Sequence, residues 1–315
     1  MPQASANGLQ LEYERFGDAR DPAVILIMGL GMQLIGWPDE FCQSLADEGF
    51  HVVRFDNRDV GLSSYLDHLG TPSLPWNLLK RRMGLTIKAP YSLDDMTADT
   101  LALMDALGID AAHIAGVSMG GMIAQLIAAR APQRVLSLSS IMSTSGAAGL
   151  PGPSRAALTA LLRRPPRNAY AECNRATMID WLMRNIAVIR SPGFPTPPEL
   201  QRARLQRSLS RAIHPAGMRR QLFAVAAAPD RSALLASISV PSLIIHGSHD
   251  PLIPPACGRD CAAKIPNARW VEVDGMAHDM APGVCEHLLS QLPAHFRQAE
   301  AARPVGSEAK ARQPA

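Results

Sequence analysis

The chain alternates between short, largely apolar runs and longer stretches in which apolar residues recur every three or four positions. The runs Val24 to Met28, Val52 to Phe55, Ala112 to Gly116, Val135 to Ile141, Leu243 to Gly247 and Trp270 to Val273 lack the apolar–polar alternation of a half-exposed strand. Such runs predict parallel strands buried on both faces. Leu11 to Phe16 adds an antiparallel edge, which brings the expected sheet to about seven strands. Pro38 to Glu48, between two of these runs, carries helical periodicity. Strand and helix signals alternate, so the expected class is α/β, a mostly parallel central sheet flanked by helices.

That alternation breaks off between Ala147 and Arg231, where leucine, alanine, proline and arginine dominate. The break divides the chain into a first core segment (1–146), a helical cap insertion (147–231), a second core segment (232–298) and a tail (299–315) poor in large apolar residues and expected to be flexible. Residues 151 to 230 hold thirteen arginines and no lysine against four acids (Glu172, Asp180, Glu199, Asp230), a surplus of nine positive charges. Two readings stand: solvated outer faces of amphipathic helices, or a basic rim that draws in anions.

Composition narrows the class. Hydrophobic residues make up 47% and charged residues 19% of the 315, the profile of a globular chain able to bury a large core. A formal net charge of +3 gives no reason to expect nucleic acid as a partner. The opening MPQASANGLQ has no basic segment followed by an apolar one, so no secretory signal is expected, and no apolar run is long enough for stable membrane insertion. Five scattered cysteines (Cys42, Cys173, Cys257, Cys261, Cys285) do not form a disulfide framework. Cys257 and Cys261 share a helix face without a second ligand pair, so no metal site is expected. A cytoplasmic protein is the expectation, with its oligomeric state left open.

The chemistry lies in three loops. His113-Ile114-Ala115-Gly116-Val117-Ser118-Met119-Gly120-Gly121 matches G-x-S-x-G and places Ser118 between an apolar strand and a helix. A serine nucleophile needs a sharp, strained turn, and Gly116 and Gly120 remove the side chains that would collide there. The partners of such a serine follow in the order acid, then histidine. Asp250 stands in the loop after the strand ending at Gly247, and His278 in a glycine-containing loop after the strand ending at Val273. His278 would act as base, and Asp250 would hold its tautomer. The oxyanion hole should combine the N–H of Met119, just after the nucleophile, with that of Leu30 in the loop Met28-Gly29-Leu30-Gly31-Met32.

Rival residues fit these roles less well. His249 precedes Asp250 and has no acid in triad order, His113 lies in a buried strand, and Asp279 could reach His278 only by a cramped neighbour contact. The G-x-G after an early strand is not a dinucleotide site, because Leu34 occupies the third glycine position. No cofactor is expected. Trp37, Met142, Met178, Trp181 and Met183 are candidates for an apolar substrate pocket, although such residues are more often core.

The MGLG loop, GWPDEF (Gly36 to Phe41), RFDNRDVGLSS (Arg54 to Ser64), YSLDDM (Tyr91 to Met96), GVSMGG, HGSHDPLIP and GMAHDM together resemble the α/β-hydrolase family. Within it the chain is similar to the capped esterases of lipolytic family V and of the aclacinomycin methylesterase type, over roughly residues 10 to 290. The resemblance implies a carboxylic ester hydrolase acting on a small-molecule ester through an acyl-enzyme. Perhydrolase, cofactor-free haloperoxidase and carbon–carbon bond hydrolase chemistry use the same triad and remain alternatives, as does a non-catalytic small-molecule binding protein. The chain departs from the family pattern with Met28 where a histidine often opens the oxyanion loop, and with a long Tyr65 to Pro90 stretch containing Trp76 and Lys80-Arg81-Arg82.

Overall fold

A computed structural model describes residues 2–73, 76–77, 83, 87–166, 168 and 174–302. The basic run Lys80-Arg81-Arg82, Cys173 and the tail from 303 onward lie outside them. Eight strands form one sheet in the order β1-β2-β4-β3-β5-β6-β7-β8: β1 Gln3–Ala6, β2 Leu9–Phe16, β3 Ala23–Ile27, β4 His51–Phe55, β5 Ala112–Val117, β6 Val135–Ile141, β7 Ser242–Gly247 and β8 Arg269–Val273. β2 pairs antiparallel with both β1 and β4, and every later pair is parallel. The expected seven strands are all present, and β1 is an eighth, so β1 and not β2 is the antiparallel edge. Its alternation of exposed and buried positions rests on alanines, which give a weak apolar signal. The available signal was Asn7-Gly8: both have positive φ (51° and 75°), the pair that closes a two-residue hairpin between Ala6 and Leu9.

β3 to β7 are buried on both faces, and only β3 is apolar throughout: β4 also buries His51 and Arg54, and β6 buries Ser137, Ser139 and Ser140. One face packs against α2 (Leu93–Ala106), α3 (Met119–Arg130), the short α8 (Ser232–Ala236) and α9 (Pro255–Lys264), the other against α1 (Asp39–Asp47) and α10 (Pro282–Ala301). Ser92 starts α2 with a reciprocal capping box to Asp95. α3, GlyGly-containing and almost entirely buried, can lie close against the sheet because small residues face it. α10 runs through Ala299, which is buried, to Ala301, so residues 299–301 of the expected tail are helix. No helix among the described residues is long and apolar enough to cross a membrane.

The sheet order places the site. From β3 the chain steps to one side to make β4, then returns to the other side of β3 for β5 and continues outward to β8. Loops leaving the carboxyl ends of β3 and β5 therefore diverge around a crevice, the switch point at which open α/β sheets bind ligands. Those loops contain Leu30 and Ser118.

Residues 147–231 contribute α4 (Arg155–Leu162), α5 (Arg175–Ile186), α6 (Pro198–Arg211) and α7 (Pro215–Ala227), with no strand among the described residues. Three of their arginines, Arg211, Arg220 and Arg231, turn inward, contrary to the expectation that they face water or an entrance; Arg231 donates to Thr144 O at 2.7 Å. Arg220 is wholly buried and grips Asp59 with two bonds of 2.7 Å while also reaching Asp67 at 2.8 Å and the Gly70 carbonyl at 3.1 Å. Arg211 donates to Asp56 at 2.6 Å and to Gln33 at 2.8 Å. The receiving carboxylates sit in the loop after β4. A buried carboxylate must be paired, and the arginine-rich insertion supplies the partners.

Candidate active site

Ser118 follows β5 with φ 56° and ψ −119°, outside the regions ordinary residues favour. The surroundings hold it there. Its N–H donates to Ile141 O at 2.9 Å, and Ser143 Oγ donates to its carbonyl at 2.8 Å. A Cβ on Gly116 would lie 2.1 Å from Gly120 O, and one on Gly120 would lie 2.2 Å from Ile27 O, so both positions require glycine. The turn is thus wedged between β3, β5 and α3, with the hydroxyl presented at the crevice.

His278 and Asp250 arrive from two other strand ends. His278 Nε2 lies 3.0 Å from Ser118 Oγ, and its Nδ1 lies 2.6 Å from Asp250 Oδ2. That geometry assigns the neutral ring's proton to Nδ1 and leaves Nε2 to accept from the serine. Asp250 Oδ1 accepts the N–H groups of Leu252 (2.8 Å) and Ile253 (2.9 Å), a local turn that fixes the carboxylate plane. His246, buried in β7, donates from Nε2 to Ile253 O at 2.8 Å and lies 3.4 Å from Asp250 Oδ2. Burial alone would raise the Asp250 pKa. The charge of His278 and the hydrogen bonds of His246 and His278 outweigh it and hold the carboxyl well below the usual range.

Met119 is the first residue of α3, so its N–H belongs to the unpaired amino-terminal turn of a helix. Leu30 lies in a turn closed by Met32 N–H to Gly29 O at 3.2 Å. A Cβ on Gly29 would stand 3.2 Å from the Ser118 Cβ, so this turn packs directly against the serine. Among the described residues neither the Leu30 nor the Met119 N–H meets an acceptor. Two free donors therefore flank one hydroxyl.

The rivals have other occupations. His249 is exposed and bonds Ser248 Oγ at 2.7 Å. His113 is buried in β5, 2.8 Å from Ser137 Oγ and stacked on Phe296. Asp279 accepts from both the N–H (3.1 Å) and the hydroxyl of Ser191 in the insertion, and burial pushes its carboxyl pKa up. It braces the insertion against the histidine loop, as do Gly193 N–H to Gly275 O (2.9 Å) and His278 N–H to Ile189 O (3.0 Å).

Of the pocket candidates, Trp37 has no exposed surface and stacks on Phe41 in the core, so the pocket assignment is corrected there: the indole is packing. Met142 follows β6 at φ 41°, donates its N–H to Ile245 O at 2.8 Å and belongs to the same core cluster. Met178, Trp181 and Met183 lie on α5, Met178 buried and the other two half-buried. Sequence reasoning passed over His246, Ser143, Ser191 and Gln221. His246 ends the run before Asp250 and was legible as a neighbour of the acid. The other three act through spatial contacts that no motif carries.

The fold and the hydrogen-bonded Asp250–His278–Ser118 chain define a class of protein. The sequence family described as alpha/beta hydrolase fold matches residues 22–281, and the chain belongs to it. Among characterised relatives it is 32% identical over 308 residues to the rhodomycin D methylesterase DauP of Streptomyces sp. (strain C5), covering 91% of this chain and 94% of that one. It is 30% identical to the rhodomycin D methylesterase DnrP of Streptomyces peucetius over the same shares. Among solved structures, the enol-lactonase from Burkholderia xenovorans LB400 superposes with a TM-score of 0.65 at 24% identity, covering 94% of this chain and all of that one, a likeness of fold.

Proposed function

We propose that the protein is a carboxylic ester hydrolase that works through an acyl-enzyme on Ser118. The observation that carries this reading is the continuous chain Asp250–His278–Ser118, at 2.6 and 3.0 Å, beside two unpaired N–H groups at the switch point of the sheet. His278 Nε2 takes the Ser118 proton as Oγ attacks the ester carbonyl. The carbonyl oxygen gains negative charge and is held by the Leu30 and Met119 N–H groups. His278 then gives the proton to the departing alkoxide, and an alcohol leaves. Water, deprotonated in turn by His278, attacks the acyl-enzyme and releases the acid. Asp250 stays ionised throughout and stabilises the imidazolium.

Residues 147–231 act in this reading as a cap, and Met178, Trp181 and Met183 on α5 line the pocket. The substrate class is a small or medium soluble ester. The names of the two methylesterase relatives make methyl esters the first choice within that class.

Ser118→Ala should reduce kcat by about 10⁴-fold or more, with the circular dichroism spectrum unchanged. A fluorophosphonate should label the wild-type protein on the peptide containing Ser118 and leave the variant unlabelled. A variant that keeps over about a tenth of the activity removes Ser118 as nucleophile.

A further inference from the structure

Leu30, the proposed oxyanion donor from the β3 loop, sits between two glycines, and Gly31 has φ 66°. Glycine on both sides leaves the turn few conformational restraints of its own. A donor is useful only if held to within a fraction of an ångström, so something outside the turn must hold it. Two tethers bracket Leu30. On one side Asn57 Nδ2 donates to Met28 O at 3.1 Å. On the other, Gly31 N–H donates to Gln221 Oε1 at 2.8 Å, across 190 residues of chain.

Gln221 has no exposed surface, and its other end is committed as well, Nε2 donating to Arg58 O at 2.8 Å. A flipped amide would set N–H against N–H and oxygen against oxygen, so its orientation is unambiguous. The residue belongs to α7 of the insertion, next to Arg220, whose bonds to Asp59 and Asp67 anchor that helix to the core. Met218, one turn earlier, packs on Gly31, where an added Cβ would lie 2.8 Å from its Cγ.

We infer that Gln221 is a positioning residue of the oxyanion hole: the insertion, besides any contact with substrate, fixes the turn that aims the Leu30 N–H. The inference rests on the ester-hydrolase reading with Ser118 as nucleophile. Because Leu30 bonds the oxygen only as it becomes charged, losing the tether should slow the chemical step and spare ground-state binding.

The test compares Gln221→Leu with Gln221→Glu, since a buried glutamic acid, kept protonated by burial, retains an acceptor for Gly31 N–H and an O–H donor for Arg58 O. On p-nitrophenyl acetate, Gln221→Leu is expected to lower kcat by roughly 10- to 100-fold with KM within about threefold. An aryl trifluoromethyl ketone, which forms an oxyanion on Ser118, should bind more weakly by a similar factor, whereas the corresponding amide should bind as before. Gln221→Glu should restore kcat to within about threefold of wild type. The proposal is overturned if Gln221→Leu keeps its kcat, if the amide and the ketone lose affinity equally, or if glutamate is as slow as leucine. Without any variant, the Gly31 amide of the wild-type protein should be protected from hydrogen exchange by about 10³-fold or more. Exchange there at the rate of an open loop also overturns it, and this measurement decides the matter if the substitutions prevent folding. An active Ser118→Ala protein would sink the underlying reading, whereas an inactive one beside an unimpaired Gln221→Leu would sink only this inference.

Discussion

Charged groups are buried in two neighbouring regions of this molecule, and the two regions use them in opposite ways. At the seam between the insertion and the core, Arg220 meets Asp59 through two 2.7 Å bonds and spends two more donors on Asp67 and Gly70. Both Asp59 oxygens and four of the five Arg220 N–H groups are taken. At the carboxyl ends of the strands, Asp250 and His278 are as closely paired, but the chain of bonds ends on a half-buried hydroxyl flanked by two unpaired N–H groups. A closed pair of buried opposite charges holds parts together, and a chain that ends on a hydroxyl beside free N–H groups has capacity left for a reacting molecule. Burial and charge alone would not have told the two regions apart.

The comparison breaks most visibly at Asp250. Asp250→Asn should lower kcat by about 10⁴-fold, by analogy with serine proteases, because an amide favours the wrong imidazole tautomer. Asp279→Asn should cost far less activity, since Asp279 bonds Ser191 and not the imidazole. Steady-state kinetics of the two variants side by side decide the assignment, and the reverse ranking would transfer the acid's role to Asp279.

At the seam the expected loss is of stability. Arg220→Met strands the Asp59 carboxylate without its partner, which should destabilise the fold by about 3–5 kcal/mol. Adding Asp59→Leu should recover much of that, since an apolar pair can replace a buried ion pair. Urea denaturation of the single and double variants reads both numbers. A single variant within about 0.5 kcal/mol of wild type would show that the seam is not held by this pair.

Acid titration probes a third buried group, outside both regions. His295 on α10 is buried, with Nε2 donating to Leu138 O at 3.1 Å, and burial pushes its pKa down to about 4 from an ordinary 6.5. Between those values the unfolded chain takes up a proton that the folded one refuses. Stability should therefore be complete above about pH 6.5, fall by roughly 3 kcal/mol as pH drops to about 4, and lose nothing further from this group below that. The Asp250 carboxyl, held below its ordinary range, makes its own loss only at still lower pH. His295→Gln should flatten the limb between pH 6.5 and 4, and an unchanged slope of Tm against pH there would refute the assignment.

The smallest expected effects lie on α5. Met178→Ala or Trp181→Ala should shift the ratio of kcat/KM between short and longer acyl chains by roughly 1–3 kcal/mol equivalents while changing the overall rate less. A C2 to C12 p-nitrophenyl ester series measures the ratio. A uniform change across the series would make these residues packing, as Trp37 proved to be.

Much of the architecture was legible in the chain. Seven strands announce themselves because most positions of a strand buried on both faces are apolar, a demand that is local, and the edge strands keep enough of that pattern to be read. The short loops bearing Ser118, Asp250 and His278 were legible too, since a strained turn needs glycine at Gly116 and Gly120, and the order serine, acid, histidine follows from which strands precede them. β1 escaped notice through its alanines, although Asn7-Gly8 marked the hairpin that contains it.

What the sequence alone determined, then, is whatever depends on neighbours along the chain: the period of each element, the turns, and the candidate triad's spacing. Only the tertiary structure decided which of the fourteen insertion arginines turn inward, that Trp37 lies in the core, that Asp279 bonds Ser191, and that Gln221 reaches Gly31. These depend on side chains meeting across as many as 190 residues. An arginine or a glutamine on a helix has the same local signature whether it faces water or a buried carboxylate, because helical periodicity records which positions share a face and not what that face meets.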